Sequence, residues 1–195
     1  MHPTAELESL LTDLISEDDL RAAEAVQRLA VAGDEACERL LALLESPNPD
    51  HRWWATMALA EINGSSLATD GLLRALEDPD GAVRQAAALG LNQRPAVSAI
   101  PRLIRALGDP DRLLARLAAG ALAALGTEAV SPLTVALRSK DPAVRIEAVR
   151  ALAHIDDPAV VPTLFAALSD PSAIVVHLAE EGLNRMGIGT VFFEL

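Results

Sequence analysis

The residues able to do chemistry are few and scattered. The four histidines are His2, His51, His154 and His177, and no two are spaced as a metal-binding pair. His177 has Glu180 and Glu181 three and four residues on, which puts the three on one helix face. A metal site needs at least one further ligand from elsewhere, so this fragment reads as a solvated surface cluster. Ser65 and Ser66 lie in an Asn63-Gly64-Ser65-Ser66 stretch with no Gly-x-Ser-x-Gly elbow. They read as a turn and a helix cap. Lys140 is the sole lysine, no phosphate-cradling glycine loop is present, and tyrosine is absent. Cys37 has no activating base nearby in the sequence and falls at an apolar position, so it reads as a packing residue. The unusual local feature is Arg52-Trp53-Trp54, which contains both tryptophans of the chain. No residue set calls for catalysis, a metal or a cofactor; the expectation is a non-enzymatic protein.

The elements that position these residues are legible as a repeat. Breaks recur at Ser16-Glu17-Asp18, Ser46-Pro47, Asp78-Pro79, Asp109-Pro110, Ser139 to Pro142 and Asp170-Pro171. Aligned on these breaks, the chain has a period of 30 to 32 residues and four invariant columns. Before each break stand Leu10, Leu40, Leu72, Leu103, Leu133 and Leu164, with a second leucine four residues on in every copy. After it stand Ala25, Ala55, Ala87, Ala118, Ala148 and Ala179, followed four residues later by Leu29, Leu59, Leu91, Leu122, Leu152 and Leu183. Leucines four apart share a helix face. The break offers Ser or Asp to free backbone N–H groups and Pro to a first helical turn. A second helix follows, its alanine column allowing close approach. Each pair is too small to bury its own apolar face, so the pairs must stack. The pattern predicts an all-α chain of six two-helix repeats, at about 5–33, 34–64, 65–95, 96–126, 127–156 and 157–187.

Composition agrees. Hydrophobic residues make up 51% and aromatic residues 3%, so the core is Leu, Ala, Val and Ile. The net charge of −12 is uneven: Met1 to Glu45 carries eleven Asp or Glu against Arg21, Arg28 and Arg39. Such a surface repels phosphate backbones, and no nucleic-acid partner is expected. The longest apolar stretch, Leu113 to Gly126, is short and broken by Arg116, so no membrane span is expected. One cysteine and no basic-then-apolar start point to a cytoplasmic protein. Arg21 and Arg28 fit a solvent-facing first repeat. Gly187 is expected to stop the last helix. The 188–195 tail, with Phe192 and Phe193, reads either as a cover for the last repeat or as a docking peptide. The chain is expected to be a monomer, or a weak homodimer through that tail.

Asp78-Pro79-Asp80-Gly81-Ala82-Val83-Arg84-Gln85-Ala86-Ala87 and Asp141-Pro142-Ala143-Val144-Arg145-Ile146-Glu147-Ala148 resemble HEAT repeats. More narrowly they are similar to the short HEAT-like repeats of the phycobilisome-lyase type. The resemblance implies an α-solenoid, a right-handed superhelix with the second helices on its concave face. It also implies a ladder joining turn Asp residues to the Arg after Val. Arg52, Arg84 and Arg145 hold that position, Ala22, Ala115 and Val176 replace it, and only Asp78 with Arg84 keeps both members within one repeat. Metal-binding HEAT hydroxylases carry His-Glu dipeptides, which this sequence lacks.

At about 100° per residue, the rows opposite the Ala and Leu columns follow. They are Ala23, Trp53, Gln85, Arg116, Ile146 and His177; then Gln27, Met57, Leu89, Gly120, Arg150 and Glu181; then Ala30, Ala60, Asn92, Ala123, Ala153 and Asn184. Trp and Arg are enriched at binding hot spots, and small residues in the third row leave room for a partner. The expected partner-binding residues are Trp53, Met57, Gln85, Leu89, Arg116, Ile146, Arg150 and His177, holding a protein or peptide segment. Trp53 is expected in the groove and Trp54 on the flank between helices. The alternatives are a bilin lyase-like or chaperone-type protein, from the repeat type, and a HEAT-like DNA glycosylase, from the Trp and Arg residues.

Overall fold

A computed structural model describes residues 3–188 of the chain; the tail from Gly189, including Phe192 and Phe193, and His2 lie outside the described residues. Two compact units make up the chain, Met1–Arg94 and Pro95–Leu195. The first carries α1 (Pro3–Leu14), α2 (Asp19–Ala32), α3 (Asp34–Leu43), α4 (Pro49–Glu61), α5 (Ser66–Ala75) and α6 (Gly81–Gln93). The second carries α7 (Ile100–Ala106), α8 (Arg112–Ala124), α9 (Thr127–Ala136), α10 (Pro142–His154), α11 (Val161–Ala167) and α12 (Ala173–Arg185). Short 3-10 turns at Val97–Ala99 and Pro158–Val160 lead into α7 and α11, where Pro101 and Pro162 sit in the first helical turn. Among the described residues there is no strand, and no helix is long and apolar enough to cross a membrane.

Each unit is a stretch of α-solenoid. Odd-numbered and even-numbered helices form two layers, with α2, α4 and α6 side by side in the first unit and α8, α10 and α12 in the second. The leucine and alanine columns account for the core. All six leucines from Leu10 to Leu164, all six alanines from Ala25 to Ala179 and all six leucines from Leu29 to Leu183 are buried. In the remaining column Leu14, Leu44, Leu76 and Leu107 are buried, while Leu137 and Leu168 are half-buried.

The breaks work differently from the expectation. Where Asp-Pro was expected to cap directly, the N-cap position stands two residues after the break residue: Asn48, Asp80, Asp111 and Asp141 cap with their side chains, and Ser172 holds the position without a side-chain bond. Asp80 accepts from the Ala82 and Val83 N–H groups, and Asp111 from those of Leu113 and Leu114. The break aspartate is left to hold the loop, as Asp78 accepts the Asp80 N–H at 2.8 Å and Asp170 accepts that of Ser172 at 2.8 Å. At the end of α12, Gly187 takes a φ of 74°, and the Ile188 N–H reaches the Leu183 carbonyl at 3.0 Å. That left-handed residue closes the helix as glycine does at C-caps.

The third row does not line an open face throughout. Ala60 and Ala153 are buried, because a glycine of the next even-numbered helix lies against each. A Cβ on Gly90 would stand 2.7 Å from Ala60 Cβ, and one on Gly182 would stand 2.9 Å from Ala153 Cβ. Small residues here bring helix axes together rather than leaving space for a partner. Gly90→Ala would gain ~1 kcal/mol of helix propensity but overpack a rigid contact, so a net loss of ~1–2 kcal/mol is expected in chemical denaturation. A gain in stability would show that α4 and α6 separate freely at this point.

Candidate protein-binding face

In the first unit the site is built on α4. Asn48 caps this helix by accepting the Asp50 N–H at 2.9 Å, and Pro49 presets its first turn. Trp53 and Trp54 follow within the second turn. Their ring centroids lie 4.7 Å apart at an interplanar angle of 79°, an edge-to-face pair. Both are half-buried. The sequence assigned the two rings opposite places, groove and flank; the structure brings both to one pocket. Successive helical residues point only about 100° apart, and indoles are long enough to meet across that angle.

That pocket has a volume of about 830 Å³ and lies between the first turns of α2, α4 and α6 and the turn after α1. Ile15 and Ala23 add apolar surface to the indoles, and Glu17, Asp19, Asp50 and Asp80 add carboxylates. No lysine or arginine lines it. Of the other expected residues here, Met57 is half-buried one turn beyond Trp53, Gln85 is half-buried, and Leu89 is exposed at 37%.

In the second unit the two expected arginines meet a buried acid. Glu147 is buried, with 5% exposure, and its Oε2 accepts from Arg116 Nε at 3.2 Å and from Arg150 Nε at 3.1 Å. A buried carboxylate needs such partners to offset lost hydration. Arg116 and Arg150, both expected to face a partner, therefore also pair with an internal anion. Sequence reasoning missed Glu147. A signal was present: its column otherwise holds Glu24, Trp54, Ala86, Leu117 and Leu178, so an acid there is out of place except in the first copy. Ile146 is half-buried beside it. His177 is exposed, with Nε2 3.7 Å from Glu181 Oε1 on the next turn of α12.

The Arg–Asp ladder also changes partners. Arg52 donates to both carboxylate oxygens of Asp78, at 2.7 and 2.9 Å, and Arg145 to both of Asp170, at 2.9 and 3.2 Å. Each pair joins one repeat to the next. Within its own repeat the guanidinium binds backbone instead: Arg52 Nη1 donates to the Ser46 carbonyl, Arg84 Nη1 to that of Asp78 and Arg145 Nη1 to that of Ser139. Burial pushes the Asp78 carboxyl up, but the Arg52 and Asp80 hydrogen bonds outweigh it and hold the group below the usual carboxylate range. Asp170 is held down in the same way by Arg145 and the Ser172 N–H.

Cys37 and Ser65 have structural roles. Cys37 is fully buried, with Sγ 3.4 Å from Ser65 Oγ, and burial pushes its thiol up. Ser65 caps α5 through the Ala68 N–H and donates to Asp34.

The family model for HEAT repeats matches residues 4–92, 69–134 and 100–184. The chain belongs to the HEAT-repeat family. No curated protein matches it. Among solved structures, this HEAT chain is similar to the complex of CpcE and CpcF of phycocyanin lyase from a Nostoc species. That likeness has 26% identity and a TM-score of 0.56, over 93% of this chain and 77% of the other. It supports repeats of the phycobilisome-lyase type. The Escherichia coli protein YibA aligns at 19% identity and a TM-score of 0.58, over 93% and 71% of the two chains. A designed armadillo repeat protein solved with the peptide (KR)4 aligns at 20% identity and a TM-score of 0.51, over 93% and 99%. These last two share the solenoid fold.

Proposed function

We propose that this HEAT-repeat protein is a non-enzymatic scaffold that holds a segment of another protein against its even-numbered helices. The observation that carries this reading is the Trp53–Trp54 pair, two large rings left half-exposed at a pocket in a chain otherwise poor in aromatics. Indoles placed this way are the usual anchors of protein interfaces. Met57 and Leu89, with Gln85, extend the face in the first unit; Arg116, Ile146, Arg150 and His177 are the corresponding residues of the second. Capture of proteins from cell extract by the wild-type chain and by Trp53→Ala tests it. Proteins held by the wild type are expected to be lost by the variant, at a cost of ~2 kcal/mol or more in affinity. The melting curve should shift by less than the ~3–5 kcal/mol typical of a core aromatic. Equal capture by both proteins, or a full core-sized stability loss, would sink the reading.

The likeness to the phycocyanin lyase complex favours a second reading, a bilin lyase-like or chaperone-type protein. Mixing the chain with a free bilin would then shift the visible absorbance of the pigment. An unchanged spectrum removes this reading.

A further inference from the structure

We infer that the Trp53–Trp54 pocket receives a basic side chain, arginine or lysine, of the bound protein segment. This rests on the scaffold reading and adds the chemistry of the partner. Several acids of the fold are paired with arginines: Asp78 with Arg52, Asp170 with Arg145, Asp13 with Arg21 and Glu6 with Arg28. The pocket is lined by Glu17, Asp19 and Asp50, with no lysine or arginine in the lining. Two of these have a local reason to be there, since Asp19 and Asp50 lie in first helical turns and complement the helix dipole. Glu17 has none. It stands in the turn before the cap Asp18, outside any helix. A cation in the pocket would be attracted by the charge of Glu17 together with those of Asp19 and Asp50.

The indoles point to the same occupant. An aromatic face attracts guanidinium and ammonium groups, most strongly for Trp, while an anionic ligand would meet the carboxylates. The volume of about 830 Å³ falls within the ~300–1,000 Å³ of ligand pockets, enough for a long side chain and its flanking backbone. A bare metal ion is a poor fit, because among the described residues no three His, Cys, Asp or Glu are grouped to hold one.

Trp53 and Trp54 are the only tryptophans, so the intrinsic emission of the full chain reads this pocket alone. Three capped peptides, (Gly-Arg)4, (Gly-Gln)4 and (Gly-Glu)4, serve as probes. The arginine peptide is expected to shift the emission and bind at least ~10-fold more tightly than the glutamine peptide at ~50 mM salt, with the ratio shrinking at ~500 mM. Glu17→Lys and, separately, Asp50→Asn should each reduce that preference. Neither side chain supplies a cap, and Glu17 lies outside the helices, so melting curves should confirm folded variants. Equal binding of the arginine and glutamine peptides, preference for the glutamate peptide, or no response to any peptide would overturn the inference. So would a preference that survives Glu17→Lys. These outcomes leave the scaffold reading to the Trp53→Ala capture comparison, which uses no basic probe.

Discussion

Replacing Arg52 with Gln is expected to cost ~3 kcal/mol of folding stability at neutral pH, at the lower end for breaking a buried ion pair. The two side chains are only 11% and 8% exposed, so Asp78 would be left largely out of water without its guanidinium. The loss includes a backbone link, because Arg52 Nη1 also holds the Ser46 carbonyl at 2.9 Å. The pH dependence identifies the mechanism. Asp78 has its carboxyl lowered in the folded protein, so its contribution is complete above the unfolded value of ~4 and is lost as pH falls through the lower folded value. Wild type and Arg52→Gln should therefore differ most at neutral pH and converge in acid. Denaturant midpoints from pH 7 down to pH 2.5 would show it. A constant difference across that range would mean that the arginine acts only through its packing and backbone bonds.

Glu147→Ala is expected to cost ~2–3 kcal/mol, the range for hydrogen bonds to charged groups. Its carboxylate is buried and anchors Arg116 and Arg150 at one oxygen. The figure stays below that for Arg52→Gln because the arginines can turn to water, Arg116 in particular being 54% exposed already. The decisive measurement is a double-mutant cycle with Arg150→Ala. A coupling of ~1–2 kcal/mol is expected for residues in one charge network. Additive losses would show that Glu147 is retained for packing alone. Glu147→Gln keeps volume and one acceptor, and should lose less than the alanine variant.

The repeat was legible because it rests on local rules. Helical period and side-chain volume place Leu10 or Ala87 on the buried side whichever neighbours they meet, and both are buried. Gly187 ends α12 because an αL position is a local demand. The site was less legible. The row containing Trp53 was traceable by rotation alone, whereas the meeting of Trp53 with Trp54 depends on how two long rings share the space above α4. The acid in the column of Leu117 and Leu178 was visible in the sequence, but its partners lie 31 residues back and three residues on.

By itself, then, the sequence determined the helix count, the register of each helix and the faces turned to the core, because these follow from periodicity within one turn of chain. Tertiary structure decided which repeat supplies the partner of each charge. It joined Arg52 to Asp78 and Arg145 to Asp170 across repeats, and drew Arg116 and Arg150 onto Glu147. It also closed the alanine row at Ala60 and Ala153 with glycines from the next helix. The physical reason is common to these cases. A guanidinium reaches several ångströms and a glycine admits a neighbouring backbone, so their contacts depend on where the next helix lies in space.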